Sequence, residues 1–150
     1  MSQFMIRLLD EPFESEGEAA LVGSLTIGDF SEQLHCSLSY WTRERYEAQW
    51  KEALSRLVNG ESSSALVTSM HDPRFANFIR WWVMYRDLEI VQIQEHILFL
   101  RELDTPLDES DLYASVPDRE TETEDGERVS EWVLPVSAIH RCLEELMKLD

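Results

Sequence analysis

The stretch ANFIRWWVMYRD, residues 76–87, restricts the possible folds more than any other part of the chain. Asn77, Ile79, Trp81, Val83 and Tyr85 share one parity, and Ala76, Phe78, Arg80, Trp82 and Met84 share the other. Successive side chains of a strand point to opposite faces, so a strand here is bulky on both sides. It belongs in the middle of a sheet, with little solvent on either face. Trp81 and Trp82 must then diverge. With Trp41, Trp50 and Trp132 they read as core residues, not as a stacking platform for bases or sugars.

Other segments supply neighbours for this strand. LEIVQIQEHILFL (88–100) places Val91, Ile93, Ile97 and Phe99 on one face and Gln92, Gln94 and His96 on the other. A tight turn near Arg86, Asp87 and Leu88 would join the two runs as an antiparallel hairpin, although no Asn-Gly or Asp-Gly pair marks it. SSALVTSM (63–70), FMIRLL (4–9) and AALVGSLTI (19–27) read as strands, as does SEQLHCSLSYW, where Leu34, Cys36 and Leu38 alternate with His35, Ser37 and Ser39. DEPFESEGE, interrupted by Pro12 and Gly17, is expected to be an acidic surface loop over about 10–18. RVSEWVL (128–134) returns to strand alternation.

A helix is predicted from Thr42 to about Asn59. Thr42 is suited to the N-cap, Gly60 to the position after the C-cap, and Tyr46, Trp50, Leu54, Leu57 and Val58 recur at helical spacing. Pro135 opens a second helix whose stripe is Val136, Ile139, Leu143, Leu146 and Met147. Asp108 to Ser115 is expected to hold a short helix, its acids at the positive end. The chain has 150 residues, 43% of them hydrophobic, enough to bury one core. Strands followed by helices without a repeat imply a single-domain α+β fold over residues 1–150. It is mainly antiparallel sheet packed with helices, including a C-terminal one.

Known catalytic patterns are missing: there is no GxSxG elbow, P-loop, GxGxxG or HExxH. His71 beside Asp72 is the best acid–base pair available, and neighbours in a turn seldom face one site. Cys36 and Cys142 form no CxxC. His35 and His140 sit one and two residues from them and diverge on a strand and a helix, so no zinc site is expected. The acids of residues 118–128 lack the EF-hand spacing. No cofactor is expected, and the chain reads as a non-enzyme. It shows no signal-peptide pattern and no apolar run near the ~18 residues of a membrane span, which implies a cytoplasmic protein with reduced cysteines.

The charge is the outlying property. Thirty Asp and Glu against thirteen Lys and Arg give a formal charge of −17. Such a domain repels phosphate backbones, whose binding depends on Lys and Arg displacing counterions. Nucleic acid is thus disfavoured as a direct ligand, and a basic protein favoured. After Arg101 the chain is acidic and polar through about residue 127, with Pro106 and Pro117 as breakers. Its partner-facing candidates are Asp108, Glu109, Asp111, Glu120, Glu122, Glu124, Asp125 and Glu127. Asp10, Glu14 and Glu16 form a second patch. Complementary charge of this kind speeds association and discriminates against wrong partners.

Three segments carry a family likeness: LSYWTRERYEAQWKEALSRL, ALVTSMHDPRFANFIRWWVMYR and SEWVLPVSAI. Spread over residues 27–140, they resemble immunity proteins of contact-dependent growth inhibition systems, in particular the Enterobacter-type family. The resemblance implies a Whirly-like antiparallel sheet with helices and no enzymatic activity. It also implies a partner, the C-terminal toxin domain of a large exoprotein, with RNases among such toxins. A basic nuclease covered by an acidic inhibitor fits the charge, which was read without the resemblance. A Whirly-type single-stranded nucleic-acid binder and an acidic domain without a dedicated partner are the alternatives.

Overall fold

The fold is that of a computed structural model describing residues 3–15 and 17–148, without the side chains of residues 10–13 and 15. The strands divide into two antiparallel sheets. In the first, β1 (Phe4–Ser15), β2 (Glu18–Ile27) and β3 (Phe30–Ser37) follow one another as a meander. In the second, β4 (Ser63–Ser69), β5 (Phe78–Asp87), β6 (Ile90–Phe99) and β7 (Trp132–Pro135) lie in the order β4-β5-β6-β7. Helix α1 (Arg43–Val58) stands between the sheets in sequence, and α2 (Val136–Met147) ends the chain.

The central position expected for 78–87 is observed, since β5 pairs on both sides. Paired residues share a face. One face of the second sheet therefore carries Trp81, Val83, Tyr85, Gln94 and His96, and the other carries Arg80, Trp82, Met84, Ile93 and Glu95. The first sheet packs on this latter face, where the Phe30 ring lies 6.1 Å from Trp82 and 4.5 Å from Trp132. A single apolar core runs through both sheets and both helices.

Helix α1 begins and ends as its caps require. The Thr42 hydroxyl accepts the Arg45 N–H at 3.2 Å. Gly60 follows the C-cap at φ 102°, a conformation open to residues without a Cβ. The helix also closes one edge of the second sheet. The Gln49 amide donates to the Ala65 carbonyl at 2.7 Å and accepts the Val67 N–H at 2.8 Å, and Trp50 Nε1 donates to the Val67 carbonyl at 2.7 Å. Side chains thus take the place of a missing neighbour strand, which removes an aggregation-prone edge. The two sheets meet through Tyr46. Its hydroxyl donates to the Ser37 carbonyl at 2.7 Å and accepts the Met70 N–H at 2.9 Å.

Several expectations are corrected. Residues 10–15 are not loop but the end of β1, and Glu18 already belongs to β2. Pro12 is tolerated in β1 because β1 is an edge strand, whose open side has no ladder bonds to lose. The surplus is absorbed by a bulge: four steps on β1, Leu8 to Pro12, face two on β2, Gly23 to Leu21. The β5–β6 turn uses Leu88 and Glu89, and Leu88 takes φ 55° without being glycine. Residues 128–131 precede β7, which is confined to Trp132–Pro135. Asp108–Ser115 holds only a 3-10 turn at Leu112–Ser115. In α2 the buried residues are Ala138, Ile139, Cys142 and Leu146, while Met147 is exposed, so Cys142 belongs to the stripe and Met147 does not. Ile97 and Phe99 share a face with Val91 and Ile93, yet both are exposed.

Candidate partner-binding surfaces

The acidic segment after β6 is built as a strap. Its anchor is apolar: Leu112 and Tyr113 are buried. The Tyr113 hydroxyl donates to Glu52 at 2.7 Å and receives Gln49 Nε2 at 3.2 Å, and the Arg56 guanidinium lies 4.1 Å from its ring centre. Further on, Tyr85 holds the Pro117 carbonyl at 2.8 Å and Gln94 Nε2 holds the Glu120 carbonyl at 3.0 Å. The strap therefore crosses from α1 over β5 to β6, on the face opposite the first sheet. It closes on a fork, in which Arg119 donates to Glu131 through Nε at 2.8 Å and Nη2 at 2.6 Å, while Gln94 Nε2 reaches the same carboxylate at 2.7 Å.

Between Thr121 and Val129 the strap leaves the body as a small hairpin. The Thr123 N–H donates to the Glu127 carbonyl at 2.7 Å, and the Val129 N–H to the Thr121 carbonyl at 2.9 Å. Gly126 makes the turn at φ 82°. Glu120, Glu122, Glu124, Asp125 and Glu127 are all exposed on it. Four of these carboxylates lie within the hairpin and Glu120 at its foot, and together they form a concentrated negative surface.

The other three candidates lie elsewhere on the strap and are differently engaged. Glu109 is half-buried and accepts the Tyr40 hydroxyl and Trp41 Nε1, the latter at 3.0 Å. It fixes the strap to the start of α1. Asp108 accepts the Ser110 N–H and hydroxyl at 2.9 and 2.6 Å, which holds its carboxyl below the usual range. Asp111 is exposed. Of the second patch, Glu14 is exposed, while Glu16 and the side chain of Asp10 fall outside the described residues.

A second negative surface lies at the seam of the sheets and is not among the candidates drawn from the sequence. A cleft of about 350 Å³ opens where β3 and β4 diverge, lined by Glu18, Glu32, Leu34, Phe78, Arg80 and Glu95 among others. Burial, then the charge of Glu95, raises the Glu32 carboxyl above its ordinary range, against the opposing pull of Arg80. One signal was available: Glu32 shares the parity of Leu34 and Cys36, where a core residue is expected.

No acid–base pair forms at His71 and Asp72. The Asp72 carboxylate is taken by Arg74, through Nη2 at 2.8 Å and Nε at 3.1 Å, and His71 instead faces Ser69 and Glu18. No group of three His, Cys, Asp or Glu residues able to hold a metal occurs among the described residues. No helix there is long and apolar enough to cross a membrane.

Residues 36–142 match the family described as the CdiI N-terminal domain. The immunity protein CdiI of Enterobacter cloacae subsp. cloacae is 34% identical over 129 residues, which is 86% of this chain and 88% of that protein. This chain belongs to the CdiI immunity-protein family. Its fold is similar to a chain of the CdiA-CT/CdiI toxin and immunity complex from Enterobacter cloacae, with a TM-score of 0.88 and 32% identity over 97% of this chain and 99% of that one. The CdiI match starts at Cys36 and ends at Cys142, so it takes in α1, the second sheet, the strap and its hairpin. Glu18 and Glu32, on one wall of the cleft, precede it.

Proposed function

We propose that this chain protects its cell by binding the C-terminal toxin domain of a CdiA-type exoprotein in a stoichiometric complex, without catalysis, in the cytoplasm. The toxin is a basic nuclease, and the carboxylates of the 120–127 hairpin pair with Lys and Arg around its nucleic-acid-binding surface. The inhibitor then occupies the region that would otherwise take up polynucleotide. The observation that carries this reading is the exposed hairpin bearing Glu120, Glu122, Glu124, Asp125 and Glu127 on a chain of net charge −17. It is supported by the likeness to a protein solved as part of a toxin and immunity complex. Nucleases need cations to hold phosphates, and those same cations are what an acidic surface recognises.

The test is association of the purified protein with its cognate CdiA-type C-terminal toxin domain, followed by stopped-flow and by nuclease assay. Reversing Glu122, Glu124 and Asp125 to Lys should lower the association rate at least tenfold at low salt and flatten its salt dependence. It should also release nuclease activity. A wild-type rate in the triple variant removes the hairpin from the interface. A toxin domain that does not bind, or cleaves no nucleic acid, refutes the corresponding part of the proposal.

A further inference from the structure

Glu32 stands where the alternation of β3 calls for a core side chain. Its register partner Leu25 pairs in turn with Ile6, and the rows on either side are Phe4, Ile27, Phe30 and Leu8, Gly23, Leu34. These rows form the inward face of the first sheet, so the carboxyl turns toward the second sheet and sits half-buried at the cleft, where Arg80 and Glu95 are exposed. Its Oε2 is sealed from solvent and has no hydrogen-bond partner. Across the seam stand Glu95 and Arg80, neighbours on the facing side of β5 and β6. Arg80 lies over the Phe78 ring at 5.6 Å, and no ion pair to it occurs among the described residues within 4.0 Å.

Such an arrangement is unfavourable in the isolated protein. An orphaned carboxylate oxygen loses its water without gaining a donor, and Glu95 faces it with like charge. Local conflicts of this kind concentrate at functional sites.

We propose that the cleft between the two sheets is a socket for one guanidinium or ammonium side chain of the toxin, received by Glu32 and Glu95. This rests on the toxin-binding reading above, because that partner supplies the side chain. Glu18 is taken by Ser37 and His71, which leaves Glu32 and Glu95 against Arg80, so the cleft favours a cation. Leu34 and Ala20 offer apolar contact for an aliphatic stem, as long basic side chains require. A cavity of about 350 Å³ suits one extended side chain, not a folded segment. The guanidinium fork supplies charged donors to the open side of the Glu32 and Glu95 carboxylates. Since no three metal-ligating groups converge among the described residues, the fitting cation is organic. The hairpin then governs the encounter, while the socket fixes register.

The experiment measures affinity of the cognate toxin domain by calorimetry, and its dissociation rate by stopped-flow, for wild type, Glu32→Gln and Glu95→Gln. Each substitution keeps the shape and removes the charge. Each should weaken binding at least tenfold and act mainly on the dissociation rate, in contrast to the hairpin variant. Thermal melts of the free variants should show no loss of stability, so weakened binding cannot be ascribed to misfolding. Wild-type affinity in both variants overturns the socket and leaves toxin binding intact. If wild-type protein binds no toxin, the functional reading has failed, and N-acetyl-arginine methylamide becomes the probe in an NMR titration of the free protein. Saturable shifts at Phe78 and Leu34, absent from Glu32→Gln, then keep a cation socket, and their absence overturns it.

Discussion

Replacing Tyr46 by Phe tests how the two sheets are joined. The Tyr46 side chain is fully buried, Ser37 is 6% exposed and Met70 is not exposed at all. Removing one oxygen deprives the Ser37 carbonyl of its donor and the Met70 N–H of its acceptor, with no space for water to replace them. Leaving a buried polar group unpaired costs ~1–3 kcal/mol, so the two together should cost roughly 2–6 kcal/mol. For a chain of this size that is a fall in Tm of roughly 4–24 °C. The measurement is paired thermal and urea unfolding of Tyr46→Phe and of Tyr40→Phe. Tyr40 is an internal control: its hydroxyl serves Glu109 at the surface, and its loss should change stability by under about 1 kcal/mol. Burial pushes the Tyr46 hydroxyl far above its ordinary pKa, so the difference should be constant from pH 6 to 9. A Tyr46→Phe protein within about 0.5 kcal/mol of wild type would refute the view that this hydroxyl ties the sheets together.

Three further outcomes are expected. Leu88→Gly should stabilise by about 0.5–1 kcal/mol in urea unfolding, since Leu88 holds φ 55° while 83% exposed and loses little packing. Glu131→Gln should destabilise by roughly 1–2 kcal/mol near neutral pH. The hydrogen-bonded Arg119 guanidinium, more than Gln94, holds the Glu131 carboxyl below its usual range despite burial. Its contribution is therefore present above the ordinary carboxylate pKa and lost as pH falls through the lowered value, so the melting difference should shrink below about pH 4. Glu32→Gln should show the opposite sign. Its folded pKa is raised, so the ionised form opposes folding and the penalty sets in as pH rises through that value. The variant should melt above wild type at pH 7 and converge with it at acid pH; an equal difference at both would sink the burial argument.

Local rules were enough wherever one segment carried all the information. The caps and stripe of α1 lie within Thr42–Gly60, and its observed ends follow them. The double-faced pattern of β5 demanded partners on both sides, and β4 and β6 provide them. The strand reading of β1 stopped early, because Pro12 excludes a central strand but not an edge one. Whether β1 lies at an edge is a property of the assembled sheet.

The candidate surfaces divide in the same way. Exposed carboxylates on the hairpin are readable as composition, since a dense acidic run cannot be buried. That Glu109 is engaged by Tyr40 and Trp41, some seventy positions earlier in the chain, is not readable, because the contact follows from where the strap crosses the body. The amino-acid order by itself determined the helices, the central strand, the α+β class and the sign of the charge, all of which follow from periodicity and counting. Tertiary structure alone decided that the strands split into two sheets, and that Glu32 faces Glu95 and Arg80 across their seam. The alternation of β3 marks Glu32 as inward-facing, but what stands opposite it depends on packing between distant segments, which neither strand specifies.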